Sequence, residues 1–216
     1  MNSLQRLTAD TRYCLAGLPA SALSFSVTIA GVAAGVGSAV AFVGLPVLAG
    51  TAGAARRFAD FERGGLAEVI DRPLAVPDYS EAPSWAGWFR RTMHPLTRGQ
   101  AFLDLLHAII NFPFAIVAFV ITVTWWAGAI AGLTFPLYGW ILYNLSESQT
   151  TLPELLGLGD GLGAYLGFST LAGVLFALTL IPVVRTATLL RASLAQALLT
   201  RPVYGTRPRP MAMAAL

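Results

Sequence analysis

The chain has 216 residues, of which 56% are hydrophobic and only 12% charged, with a formal net charge of +3 and a mean hydropathy of +0.65. Soluble domains carry about 25% charged residues, so this composition excludes a disordered chain, a disulfide scaffold and a typical nucleic-acid-binding domain. One cysteine, Cys14, can form neither an internal disulfide nor a CxxC pair and reads as a small buried hydrophobe. All fourteen basic residues are Arg, which leaves no Lys for Schiff-base or phosphate-loop chemistry.

In chain order, the first charged residues are Arg6, Asp10 and Arg12, followed by 43 uncharged positions up to Arg56. That run is far longer than a signal-peptide core of about 7–15 residues, so the N-terminus is expected to be retained. As one helix the run would measure about 65 Å, against a hydrocarbon core of about 30 Å. It therefore reads as two spans, near 16–35 and 39–57, joined at Gly35-Val36-Gly37-Ser38 and kinked at Pro46.

A connector follows. Phe58 and Phe61 share one face of a helix, with Asp60 and Arg63 opposite, and Gly64-Gly65 is expected to weaken that helix before Leu66, Val69 and Ile70 resume the apolar spacing. After an extended, Pro-containing stretch, Trp85 and Trp88 beside Arg90 and Arg91 suit an anchor at the inner membrane surface.

The third span fits 109–132, with Thr134-Phe135-Pro136 as its end, and the fourth fits 162–184, closing at Pro182 and Arg185. Leu152 to Leu158 reads as a short amphipathic turn between them. Segment 133–160 has no Arg, whereas every Arg lies in the N-terminal tail, in the segment between spans two and three (Arg56 to Arg98) or in the C-terminal tail. Since Arg marks cytoplasmic loops, this distribution predicts an all-α, integral membrane four-helix bundle with both termini inside, multi-pass in the plasma membrane. Residues 1–200 form the membrane domain, and 201–216 read as a flexible tail.

Two sets of side chains are candidates for function. Trp125, Trp126, Tyr138, Trp140 and Tyr143, with Glu147, Glu154 and Asp160, form an expected outward-facing surface for a ligand or stimulus. Asp104, His107 and Asn111 fall at i, i+3 and i+7, a polar stripe at the cytoplasmic entrance to the third span. There is no phosphate loop, GxSxG, Cys/His cluster or Rossmann fingerprint, so no enzyme, metal or cofactor is expected. Pro19, Phe25 and Thr28 recur as Pro113, Phe119 and Thr122 at an offset of 94. This same-direction repeat motivates the alternative of a small transporter or transport-complex subunit. Gly31/Gly35, Gly128/Gly132 and Gly163/Gly167 have helix-packing spacing, which fits contacts within the bundle or a homodimer.

Gly17-Leu18-Pro19, Val43-Gly44-Leu45-Pro46, Arg57-Phe58-Ala59-Asp60-Phe61-Glu62-Arg63, Asp104-Leu105-Leu106, Phe112-Pro113, Phe135-Pro136-Leu137-Tyr138 and Arg191 together resemble a sensor domain found mainly in actinobacteria. That domain stands at the N-terminus of membrane histidine kinases or on its own, and the resemblance covers about residues 13–200. It implies a four-span domain that passes a signal to a cytoplasmic output. Only 31 residues follow Arg185 and they contain no His, so the phosphoacceptor and ATP-binding parts of a kinase are absent from this chain. The expected partners are the lipid bilayer and a histidine kinase or other membrane protein, with no nucleic acid. The expected output element is helix 185–199, where Leu190, Leu194 and Leu198 recur at i+4.

Overall fold

A computed structural model describes residues 2–38, 44–70, 99–145, 152–157 and 161–199. The described residues are helical: α1 (Ser3–Gly37), α2 (Gly44–Ile70), α3 (Gly99–Leu145), the short α4 (Leu152–Leu155) and α5 (Leu162–Leu199). Three helices are long and apolar enough to cross a membrane, namely α1, α3 from Ala101 and α5. The second expected span, 39–57, is represented only from Gly44, and α2 is not among the three. Trp85, Trp88, Arg90, Arg91, Glu147, Asp160 and the 201–216 tail lie outside the described residues.

Several predicted breaks are not breaks. Pro136 lies inside α3. Its ring removes the amide that would serve the Gly132 carbonyl, yet α3 continues to Leu145. Packing against a neighbouring helix and local adjustment allow proline within a membrane helix, and Gly132 lies against Gly173 of α5. Pro182 likewise sits within α5. Gly64-Gly65 does not end α2, because Leu66 and Ala59 pack with Ala192, Ala195 and Leu199 of α5 and hold the helix through to Ile70. The predicted turn at Gly35–Ser38 is present: α1 ends at Gly37, and the Ser38 amide and hydroxyl both bond the Ala34 carbonyl.

The chain forms two compact units, one of Met1–Ala20 with Phe112–Arg191 and one of Ser21–Asn111 with Ala192–Leu216. In the first, Leu7 of α1 packs with Trp125 and Trp126 of α3 and with Leu180 and Val184 of α5. Seven residues on, Cys14 packs with Ala118 and Ala187. As α1 advances, its partner on α3 recedes and its partner on α5 advances. The helix therefore runs antiparallel to α3 and parallel to α5.

This direction differs from the expected layout, in which 16–35 and 109–132 run the same way. It also removes the same-direction repeat that motivated the transporter alternative. Apolar periodicity does not encode direction. The polar and aromatic contacts that set it, such as Trp126 Nε1 donating to Thr11 Oγ1 at 3.2 Å, link residues far apart in sequence.

Past α1, the first unit continues as an antiparallel pair of α3 and α5. Trp125 meets Phe176 edge-on at 5.3 Å, and Phe135 meets Tyr165 at 5.2 Å. Gly132 and Gly173 bring the two backbones into contact, since a Cβ at either would overlap the main chain of the other helix. The outer faces of the pair carry Leu133, Leu137, Ile141, Leu171, Leu175 and Leu178, all exposed. This is the pattern of a helix pair that meets lipid outside and uses small residues at its seam.

In the second unit, α1 and α2 approach at Gly31 against Thr51 and Gly35 against Leu48. The buried stripe of α2 includes Ala59, Glu62, Arg63, Leu66 and Val69, while Phe61 is exposed. The Phe58/Phe61 face is thus not the packed one.

The seam gives a test with opposite signs. Gly132→Ala is expected to destabilise the chain by about 1–3 kcal/mol through overpacking. Gly163→Ala, whose added Cβ meets nothing, is expected to stabilise by up to about 1 kcal/mol through helix propensity. Unfolding in mixed micelles titrated with denaturing detergent reads both.

Candidate functional site

Apolar helices place few charged groups inside, and among the described residues the buried arginines Arg191 and Arg63 each mark a helix contact, one in each unit.

In the first unit, Arg191 has no exposed surface. Its Nη1 donates to the Tyr13 carbonyl at 3.0 Å, and its guanidinium lies 4.5 Å from the centre of the Tyr13 ring. A planar cation suits this pairing of carbonyl and aromatic face better than an ammonium does. The space for it exists because residue 17 is glycine: a Cβ there would overlap the guanidinium. One helical turn away on α5, Thr188 Oγ1 and Cys14 Sγ are 3.3 Å apart. Further toward the start of α1, Arg185 Nη1 donates to Asp10 Oδ1 at 2.9 Å, with Asp10 buried and Arg185 one-third exposed. Beside Arg191, Pro113, Phe114, Val117 and Leu190 help line an apolar groove of about 190 Å³.

In the second unit, one guanidinium reaches three elements. Arg63 Nη1 donates to Asp60 at 2.5 Å, Nη2 to Asp104 of α3 at 3.3 Å, and Nε to the Leu199 carbonyl of α5 at 3.2 Å. Arg63 and Asp104 are buried, and Asp60 is half-exposed. A guanidinium carries five donors in a fixed planar fork, which lets one side chain serve these three acceptors.

The expected polar stripe is assembled, but as an interior feature. Asp104, His107 and Asn111 are each at most 4% exposed. Asp104 pairs with Arg63, and Asn111 Nδ2 donates to Ser21 Oγ at 3.0 Å. Among the described residues, no group of three His, Cys, Asp or Glu side chains could hold a metal ion.

The expected outward surface divides. Trp125 Nε1 donates to Thr179 Oγ1 at 3.1 Å and Trp126 to Thr11, so both indoles serve contacts between helices. Tyr138, Trp140 and Tyr143 lie on the later part of α3: Trp140 bonds the Leu137 carbonyl, and Tyr143 meets Tyr165 at 5.8 Å. Glu154 is exposed on α4, which closes at Gly157 with a positive φ of 72°.

Sequence reasoning did not place Arg63, Arg185, Arg191, Asp10 or Gly17 in a site. The available signal was an Arg where the helical period calls for an apolar residue: Val184, Thr188, Arg191, Ala195 and Leu199 form one buried line on α5. On the same helix Leu190 is exposed while Leu194 and Leu198 are half-buried, so the expected Leu face is not the packed one.

A lysine keeps the charge at position 191 but loses the fork. Arg191→Lys is therefore expected to lower unfolding stability by about 1–2 kcal/mol, and Gly17→Ala to lower it in the same direction. Wild-type stability in both variants would contradict this reading of the contact.

A family model described as "Putative sensor" matches residues 13–199. No curated protein and no solved structure matches the chain.

Proposed function

Because the chain belongs to the Putative sensor family, we propose that it is a non-enzymatic membrane sensor module that relays a membrane or extracytoplasmic stimulus to a cytoplasmic signalling partner. The observation that carries this reading is the span of the match, which takes in α1 from Tyr13 onward and the whole of the other described helices. The proposed partner is a histidine kinase, or another membrane protein of a two-component pathway. A second copy of the chain is a further proposed partner.

The setting follows from the helices. Three apolar helices, with exposed Leu and Ile along the α3–α5 pair, support multi-pass insertion in the plasma membrane. The connection between α3 and α5 has no Arg, while α5 carries Arg185 and Arg191 beyond Pro182. The Arg bias therefore favours an outer α3–α5 connection and an inner end of α5. In this reading Tyr138, Trp140, Tyr143 and Glu154 stand closest to the stimulus. A shift of α3 against α5 is the proposed signal, since a stimulus acts by favouring one of two arrangements.

Crosslinking in native membranes followed by affinity purification tests the reading. The expected result is recovery of a histidine kinase or response regulator, together with loss of the stimulus-dependent change in partner output when 145–158 is deleted. Recovery of a permease or transport ATPase, or unaltered output after the deletion, would contradict it.

A further inference from the structure

Arg63 is more than a buried ion pair. Its three described bonds differ in what they fix. The bond to Asp60, three residues earlier on the same helix, is short and orients the guanidinium on α2. The bond to Leu199 takes a carbonyl in the last turn of α5, a group for which the helix itself supplies no amide. The bond to Asp104, at 3.3 Å, lies just beyond the 2.7–3.2 Å typical of N–H···O bonds and is the only one of the three that reaches α3.

We infer that Arg63 is a latch: it holds the C-terminal end of α5 on α2, and Asp104 makes that hold depend on the position of α3. The physical case rests on cost and geometry. Buried charges lose solvation that an apolar trio would not, so a buried pair is poor evidence for stability alone and better evidence for fixing one arrangement against another. The apolar contact of α2 with α5 joins Ala59, Ala192 and Ala195 to Leu66, Leu199 and Ile70. Apolar contacts are non-directional, whereas the guanidinium fork accepts one register. A displacement of α3 by about 1 Å takes the Asp104 bond outside hydrogen-bonding range, while Asp60 still holds Arg63 on α2. The guanidinium then keeps Asp60 but loses the buried carboxylate on α3, and the hold on the end of α5 is weakened. The use of this weakening in signalling rests on the sensor reading above; the latch itself does not.

Hydrogen–deuterium exchange on the full chain in lipid nanodiscs tests it without any partner. In Arg63→Gln, amides of 192–199 are expected to exchange at least tenfold faster than in wild type, with 112–126 unchanged. Asp104→Asn is expected to raise exchange in 192–199 at least threefold. The charge swap Arg63→Asp with Asp104→Arg restores an ion pair between α2 and α3 but offers no donor from position 63 to Leu199. It is expected to recover helicity and thermal stability while 192–199 stays unprotected. Exchange in 192–199 within twofold of wild type in Arg63→Gln or Asp104→Asn would overturn the latch, and so would full protection in the swap. Should Arg63→Gln fail to fold, Asp104→Asn and the swap decide. Failure here leaves the co-purification result untouched, and failure there leaves the exchange result untouched.

Discussion

Leucine against leucine in lipid sets neither the direction nor the register of a helix, because the surrounding acyl chains are as apolar as the partner. Everything specific in this chain therefore depends on the few groups that lipid cannot satisfy. A guanidinium over Tyr13, a fork shared by Asp60, Asp104 and the Leu199 carbonyl, and an indole donating to Thr11 each bind one element to another at one place. Glycines complete the set by subtraction. Gly17 leaves room for Arg191, and Gly132 and Gly173 let two backbones touch.

This division explains what was legible in the sequence. Helical class, membrane character and the turn after α1 follow from composition and small-residue clusters, which are local properties. The grouping of Asp104, His107 and Asn111 on one face followed from helical spacing, and all three are buried. Pro136 and Pro182 misled as stop signals, because the carbonyls that proline disturbs can be met within a packed bundle. The direction of α1 against α3 was not legible, since it is decided by pairs such as Thr11 with Trp126 that lie 115 positions apart. Helical spacing places Arg63 on the face opposite Phe58 and Phe61. Its acceptors, one of them 136 positions away in sequence, could not be read from the helix on which it sits.

Several residues through which the family resemblance was noticed turn out to be the ones with structural work. Gly17 and Arg191 meet in one unit, and Asp60, Arg63 and Asp104 meet in the other. A sensor needs two arrangements separated by a few kcal/mol, and polar contacts within apolar helices give such a choice because each is either made or broken. A small-residue seam between α3 and α5 and a charged fork at the end of α5 are contacts of that kind.

The direction of α1 against α3 underlies this account, and site-directed crosslinking in native membranes measures it directly. With Cys14 replaced by Ser, cysteines at positions 11 and 126 are expected to join through a short bifunctional reagent, as the Thr11–Trp126 bond requires. A same-direction layout at the offset of 94 would instead place position 11 level with position 105. Crosslinking of 11 to 105 and not to 126 would contradict the account.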